Sequence, residues 1–174
     1  MDWGRILKTG AVAGIIYGFL QGIVSLLSYV FYREEIIKMI TSSIPKNVNI
    51  PMSVEELADI GMISTIPGSL VGGIVTGIIF AFIFRLMYKE LIGSKDETKG
   101  LFLSVLLAAG VGLGELAYPG VLGGIFLINT HFVMLLPLNF AFMLVLGYSS
   151  GMFYKKFGDE DERTHKTHKG KKKC

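Results

Sequence analysis

The chain has 174 residues, of which 51% are hydrophobic and only 18% charged, with a net charge of +3 and a mean hydropathy of +0.55. This balance is too apolar for an ordinary soluble domain, and the charges are gathered into a few blocks, so the chain reads as a polytopic membrane protein. Its one cysteine, Cys174, excludes a disulfide framework within the chain.

The first apolar run, residues 10–32, follows Arg5 and Lys8. A signal peptide would carry an apolar core of about 7–15 residues and then a small-residue cleavage site. This run is about twice that length with no clear site, which predicts a transmembrane helix over about residues 7–32. Gly10, Gly14, Gly18 and Gly22 recur at every fourth position within it. In a soluble helix each glycine would cost about 1 kcal/mol relative to alanine, whereas in lipid such a stripe lets a second helix backbone approach closely. The stripe is the element around which the rest is organised.

Beyond Arg33, the positions Ile36, Ile37, Ile40 and Ile44, with Glu34, Glu35 and Lys38 between them, keep helical spacing. The first helix is therefore expected to continue amphipathically out of the bilayer until Pro45 stops it. A polar link follows. Ser53 and Glu56 have the spacing of a capping box, and Val54, Leu57, Ala58 and Met62 then form one apolar face of a short amphipathic helix reaching about Thr65. Residues 33–66 thus form an external connection. Pro67 suits the first turn of a second span over about residues 67–91, in which Ser69, Gly73, Gly77 and Ala81 repeat the small-residue stripe.

Residues 93–99 make a charged turn, and a third span over about 100–118 carries Gly100, Ser104, Ala108 and Gly112 at the same spacing. Pro119 and the glycines after it either kink this helix on to about residue 128 or form a re-entrant connection; the kinked or broken helix is preferred. A fourth span covers about 131–154 and contains Pro137, Asn139 and the Gly147/Gly151 pair. Residues 158–174 are too charged and apolar-poor to fold alone and are expected to be disordered. The predicted fold class is all-α: four transmembrane helices in a bundle with small-xxx-small packing.

Fourteen of the seventeen Lys and Arg residues flank the inner ends of these spans, against Arg33, Lys38 and Lys46 on the other side. The bias predicts a cell-membrane protein with both termini cytoplasmic. Tyr29, Tyr32 and Tyr118 would then form the outer aromatic belt, with Trp3, Tyr88 and Tyr154 the inner one. Lys166, Lys169 and Lys171 to Lys173 in the tail are placed to meet anionic lipid head groups.

Apart from Glu90 at the inner end of the second, Glu115 is the only acid inside a predicted span. An ionisable group in lipid is a functional candidate because its charge is costly there. Counted at about 1.5 Å per residue from Gly100, it lies about 22 Å across a core of about 30 Å, in the outer third, where a helix-end or hydrogen-bonding role also serves. His131 begins the fourth span on the same side and Asn139 follows two turns deeper. If the helices converge, Gln21, Glu115, Asn129, His131 and Asn139 would line an outward-open polar cavity able to bind a cation or pass a proton. The competing reading makes the amides interhelical hydrogen bonds.

His165, His168 and Cys174 lack the closed four-ligand set of structural zinc, and no Walker loop, HExxH, GxSxG or paired-aspartate motif occurs. No metal, cofactor or nucleic acid is expected, and an enzyme is the least expected class. The leading function is a membrane scaffold, accessory subunit or assembly partner, associating with itself or with another membrane protein. The alternative is a small transporter or channel whose prolines and glycine pairs break helices around a site.

Overall fold

The computed structural model describes residues 2–45, 51–117 and 136–171, with the side chains of 111–117, 136 and 160–171 outside that description. The described residues are all-helical, in five helices: α1 (Trp3–Phe31), α2 (Arg33–Ser43), α3 (Val54–Met87), α4 (Asp96–Ala117) and α5 (Leu136–Lys171). Two of them, α1 and α3, are long and apolar enough to cross a membrane.

Local chemistry sets the helix ends, and several differ from the expected bounds. α1 starts at Trp3 and not near residue 7, because the Asp2 side chain caps it by accepting from the Arg5 amide at 3.1 Å. It does not run on into residues 33–44. At Tyr32 the backbone turns out of the helical region (φ −122°, ψ 29°), so α2 is a separate helix. Ile44, which precedes Pro45, is extended (ψ 120°) and ends α2.

At the start of α3 the capping box is complete: Ser53 N donates to Glu56 Oε2 at 2.8 Å and Glu56 N to Ser53 Oγ at 3.1 Å. The expected division at Pro67 is absent, since α3 runs through it as one helix of 34 residues. Pro67 lacks the N–H that would reach the Ile63 carbonyl, and the helix carries on past that one missing bond. Ser64 Oγ and Thr65 Oγ1 bond back to the Gly61 carbonyl, at 3.0 and 2.8 Å, two residues before the carbonyl that Pro67 leaves free.

α3 ends at Met87, short of residue 91, and the chain turns at Gly93, whose φ of +144° few L side chains adopt. α4 then begins at Asp96, ahead of residue 100, with Asp96 and Glu97 at the positive end of its dipole. α5 continues to Lys171, through the segment expected to be disordered. Asp159 and Glu162 stand four residues before Arg163 and Lys166, a spacing that supports a helix without apolar contacts. The expected kink or break over 119–130 lies outside the described residues, as does the start of the fourth span.

The packing is antiparallel at each major contact. α1 lies along α3 with glycine against glycine. A Cβ added at Gly10 would stand 2.5 Å from Ile78 Cα, one at Gly14 2.8 Å from Ile74 Cα, and one at Gly77 2.6 Å from Gly14 Cα. No real Cβ fits there. α4 and α5 meet the same way: a Cβ on Gly147 would stand 2.6 Å from Ser104 Cβ, and one on Gly151 2.7 Å from Glu97 Cα. α1 also packs on α5 and so joins the two pairs. Ala13 and Tyr17 of α1, Phe80 and Phe84 of α3, Leu103 of α4, and Met143, Leu146 and Tyr154 of α5 share one core.

Outside this core the usual polarity of a soluble bundle is reversed. Thr9, Gln21, Ser28, Thr76, Ser104, Asn139, Ser149 and Ser150 are buried, while Phe19, Ile63, Val71, Val75, Leu86 and Val105 are exposed. α2 lies against α3, tied by the exposed Arg33–Asp59 ion pair at 3.0 Å. Such a pair contributes about 1 kcal/mol at most.

Candidate functional site

At the end of the bundle where α1 begins, charged and aromatic side chains clamp the helices. Arg5 Nε donates to the Tyr154 carbonyl at 2.6 Å, its guanidinium lies 3.7 Å from the Tyr154 ring centroid, and it rests against Gly158. Tyr154 packs on Phe84 and Tyr88 with centroids 5.4 and 5.6 Å apart. Tyr88, just past α3, donates its hydroxyl to Asp96, and Lys99 Nζ donates to the Tyr88 carbonyl at 2.9 Å. Arg5, Asp96 and Lys99 thus tie neighbouring segments together.

The Asp96 carboxyl, with burial second, pushes the Tyr88 hydroxyl up to about 12 from an ordinary 10.0. A raised folded-state value means that the neutral hydroxyl is favoured by the fold. Its contribution is therefore complete below pH 10 and lost as pH rises towards about 12. Thermal melting of the purified protein should stay level through neutral pH and fall over that alkaline window, and Tyr88→Phe should flatten the fall.

The bond between Arg5 and Tyr154 also sets the register of α1 against α5. Gln21 stands about 24 Å along α1 from Arg5, and Asn139 about 22 Å along α5 from Tyr154, so the two amides are level to within about half a turn. Thr9 and Ser150 are likewise each about 6 Å along from the same anchor. Thr9 and Gln21 share the face of Ala13 and Tyr17 at steps of four, as Asn139 and Ser150 share that of Met143 and Leu146. Two polar layers therefore bracket an apolar one.

These layers are poorly satisfied. Gln21 Nε2 donates to Tyr17 Oη at 3.2 Å, but Gln21 Oε1, Thr9 Oγ1, Ser150 Oγ and both amide atoms of Asn139 are buried with no hydrogen-bond partner. A buried polar atom of this kind costs about 1–3 kcal/mol, so these five are unusual in a native fold. Of the residues proposed from sequence for a polar cavity, Gln21 and Asn139 are buried. Glu115 lies on the α4 backbone with its side chain outside the description, and Asn129 and His131 lie outside the described residues. Gly10, Gly14, Gly18 and Gly22 face Gly77, Gly73, Ser69 and Ile66 across the α1–α3 contact.

At the opposite end α1 and α3 diverge. A Cβ on Gly18 would still meet Leu70 Cα at 3.0 Å, whereas one on Gly22 meets nothing nearer than 3.5 Å and one on Gly68 nothing within 4 Å. Between the diverging helices, and roofed by α2, lies a cavity of about 440 Å³. Six hydroxyls line it: Ser25, Ser28 and Tyr29 from α1, and Ser64, Thr65 and Ser69 from α3. The sequence reading did not single it out, yet its signal was present. On α3 the stripe continues at steps of four from Gly73 as Ser69 and Thr65, and on α1 Ser25 and Ser28 follow Gly22 at steps of three.

No cluster of three or more metal-ligating side chains occurs among the described residues. Compared with known proteins, the chain matches no family model, no curated protein and no solved structure.

Proposed function

We propose that the chain is a multi-pass membrane protein in which α1, α3, α4 and α5 all cross the bilayer with both termini cytoplasmic, and that it acts as a scaffold, accessory subunit or assembly partner. The observation that carries this reading is the apolar exterior: large apolar side chains such as Phe19, Ile63, Val71, Val75 and Val105 are exposed, while glycines, hydroxyls and amides are buried beside the aromatic core. Such an exterior is costly in water and matched in lipid, where buried small residues also let helices pack closely. The clamp at Arg5, Tyr88, Lys99 and Tyr154 fits the inner interface, where the basic residues are concentrated. Beyond it the tail lysines would lie near anionic head groups.

An assembly role has its own support. The outer side of the α4–α5 pair carries an apolar groove in which Ala108, Ala109 and Ala141 lie between Val105, Phe140 and Leu144. Small residues flanked by large ones suit a transmembrane helix from a second copy or from another membrane protein. Ala109→Trp should abolish chemical crosslinking of the complex in native membranes while leaving the melting temperature of the solubilised protein unchanged. A crosslinked species of undiminished yield would remove the groove from the interface.

The second reading, a small transporter or channel, is favoured by the unpaired buried atoms of Gln21 and Asn139. Polar groups retained at such cost inside a membrane bundle commonly belong to a pathway.

A further inference from the structure

We propose that the cavity between the diverging ends of α1 and α3 is a binding site for the uncharged, hydroxyl-bearing glycerol region of a diacylglycerol-type lipid. The chemistry of its wall is selective. Ser28 Oγ gives its proton to the Val24 carbonyl at 2.9 Å, and Ser64 and Thr65 give theirs to Gly61 at 3.0 and 2.8 Å. These three oxygens therefore turn lone pairs to the cavity and call for a donor, while Ser25 and Ser69 can donate or accept. A free alcohol hydroxyl next to ester carbonyls offers both.

Among the described residues no Asp, Glu, Lys or Arg lines the cavity, and Arg33 and Asp59, which join α2 to α3, neutralise each other. A phosphate would find no counter-charge. Ile36 and Met39 of α2 supply an apolar wall against which an acyl chain would leave. The volume, about 440 Å³, lies within the usual range for small-molecule sites. The space also has a structural origin, since the close glycine contact ends at Gly22 and leaves Gly68 facing open room.

The choice of a lipid over a free polyol rests on the membrane reading. In that frame the cavity lies at the end of α1 opposite the basic clamp, at the interfacial depth where glycerol backbones reside. The lipid and the free polyol share their hydroxyl chemistry, and the experiment separates them.

The full-length protein in lauryldimethylamine oxide, a detergent without sugar hydroxyls, is melted with dioleoylglycerol, with dioleoylphosphatidic acid or with sucrose. Dioleoylglycerol should raise the melting temperature by roughly 4 °C, and the other two should leave it unchanged. Gly68→Leu starts a side chain at the cavity wall where a Cβ has no neighbour within 4 Å, so it should keep the unliganded melting temperature and lose the shift. Ser25→Ala with Ser69→Ala should weaken binding about tenfold. An equal shift from phosphatidic acid, or a shift that survives Gly68→Leu, would reveal a general lipid effect and overturn the site. A shift from sucrose in place of dioleoylglycerol would overturn the lipid as its source. Retention of the same protein in alkali-washed membranes is scored in parallel, which keeps a failure of the site distinct from a failure of the membrane reading.

Discussion

Gly14→Leu should prevent α1 and α3 from closing on each other, at a cost of about 3 kcal/mol or more, seen as a sharp fall in the melting temperature of detergent-solubilised protein. Even a methyl at Gly14 would stand 2.8 Å from Ile74 Cα and 2.9 Å from the Gly73 carbonyl carbon, both backbone atoms that no rotamer change can move aside. Overpacking relieved by side chains typically costs about 1–3 kcal/mol, and forcing two helices apart along their length costs more. The adjacent control is Ile15→Leu. Ile15 is 46% exposed on the outer face, so this change should be nearly silent. If Gly14→Leu melts with the parent, α1 does not meet α3 through its glycines.

Asn139→Leu should act in the opposite direction and stabilise the fold. Asn139 is fully buried, and neither its Nδ2 nor its Oδ1 has a partner. Leucine is close in size and adds no polar atom, so the exchange should raise stability by about 1–3 kcal/mol. The functional consequence separates the two proposed roles. A scaffold should keep its partner association when Asn139 becomes apolar. A transporter should lose flux in proteoliposomes while becoming more stable, because groups retained against stability commonly serve a site. A drop in melting temperature would mean that Asn139 is paired in the folded protein.

The parts of this fold that were legible in the sequence are those that rest on short-range chemistry. Ser53 and Glu56 meet reciprocally because a capping box needs only a three-residue spacing, and Pro45 ends α2 because its ring restricts Ile44 alone. Every-fourth glycines mark a face, and faces survive small changes in register. What was not legible depends on how distant segments meet. Hydropathy placed a boundary at Pro67, but a single missing N–H does not end a helix whose bonds continue on both sides of it. Conversely, no proline or glycine marks the break at Tyr32. The candidate sites divide in the same way. Gln21 and Asn139 were found as polar residues in apolar runs, whereas the hydroxyl-lined cavity exists only because α1 and α3 diverge beyond Gly22.

Cysteine accessibility in intact cells tests the membrane arrangement most directly. With Cys174 replaced by serine, single cysteines at Asn47 and at Lys95 are exposed in turn to a membrane-impermeant maleimide. The expected result is labelling of Asn47→Cys from outside and protection of Lys95→Cys until the cells are opened, as fourteen basic residues on one side and three on the other require. Labelling of Lys95→Cys in intact cells would contradict it.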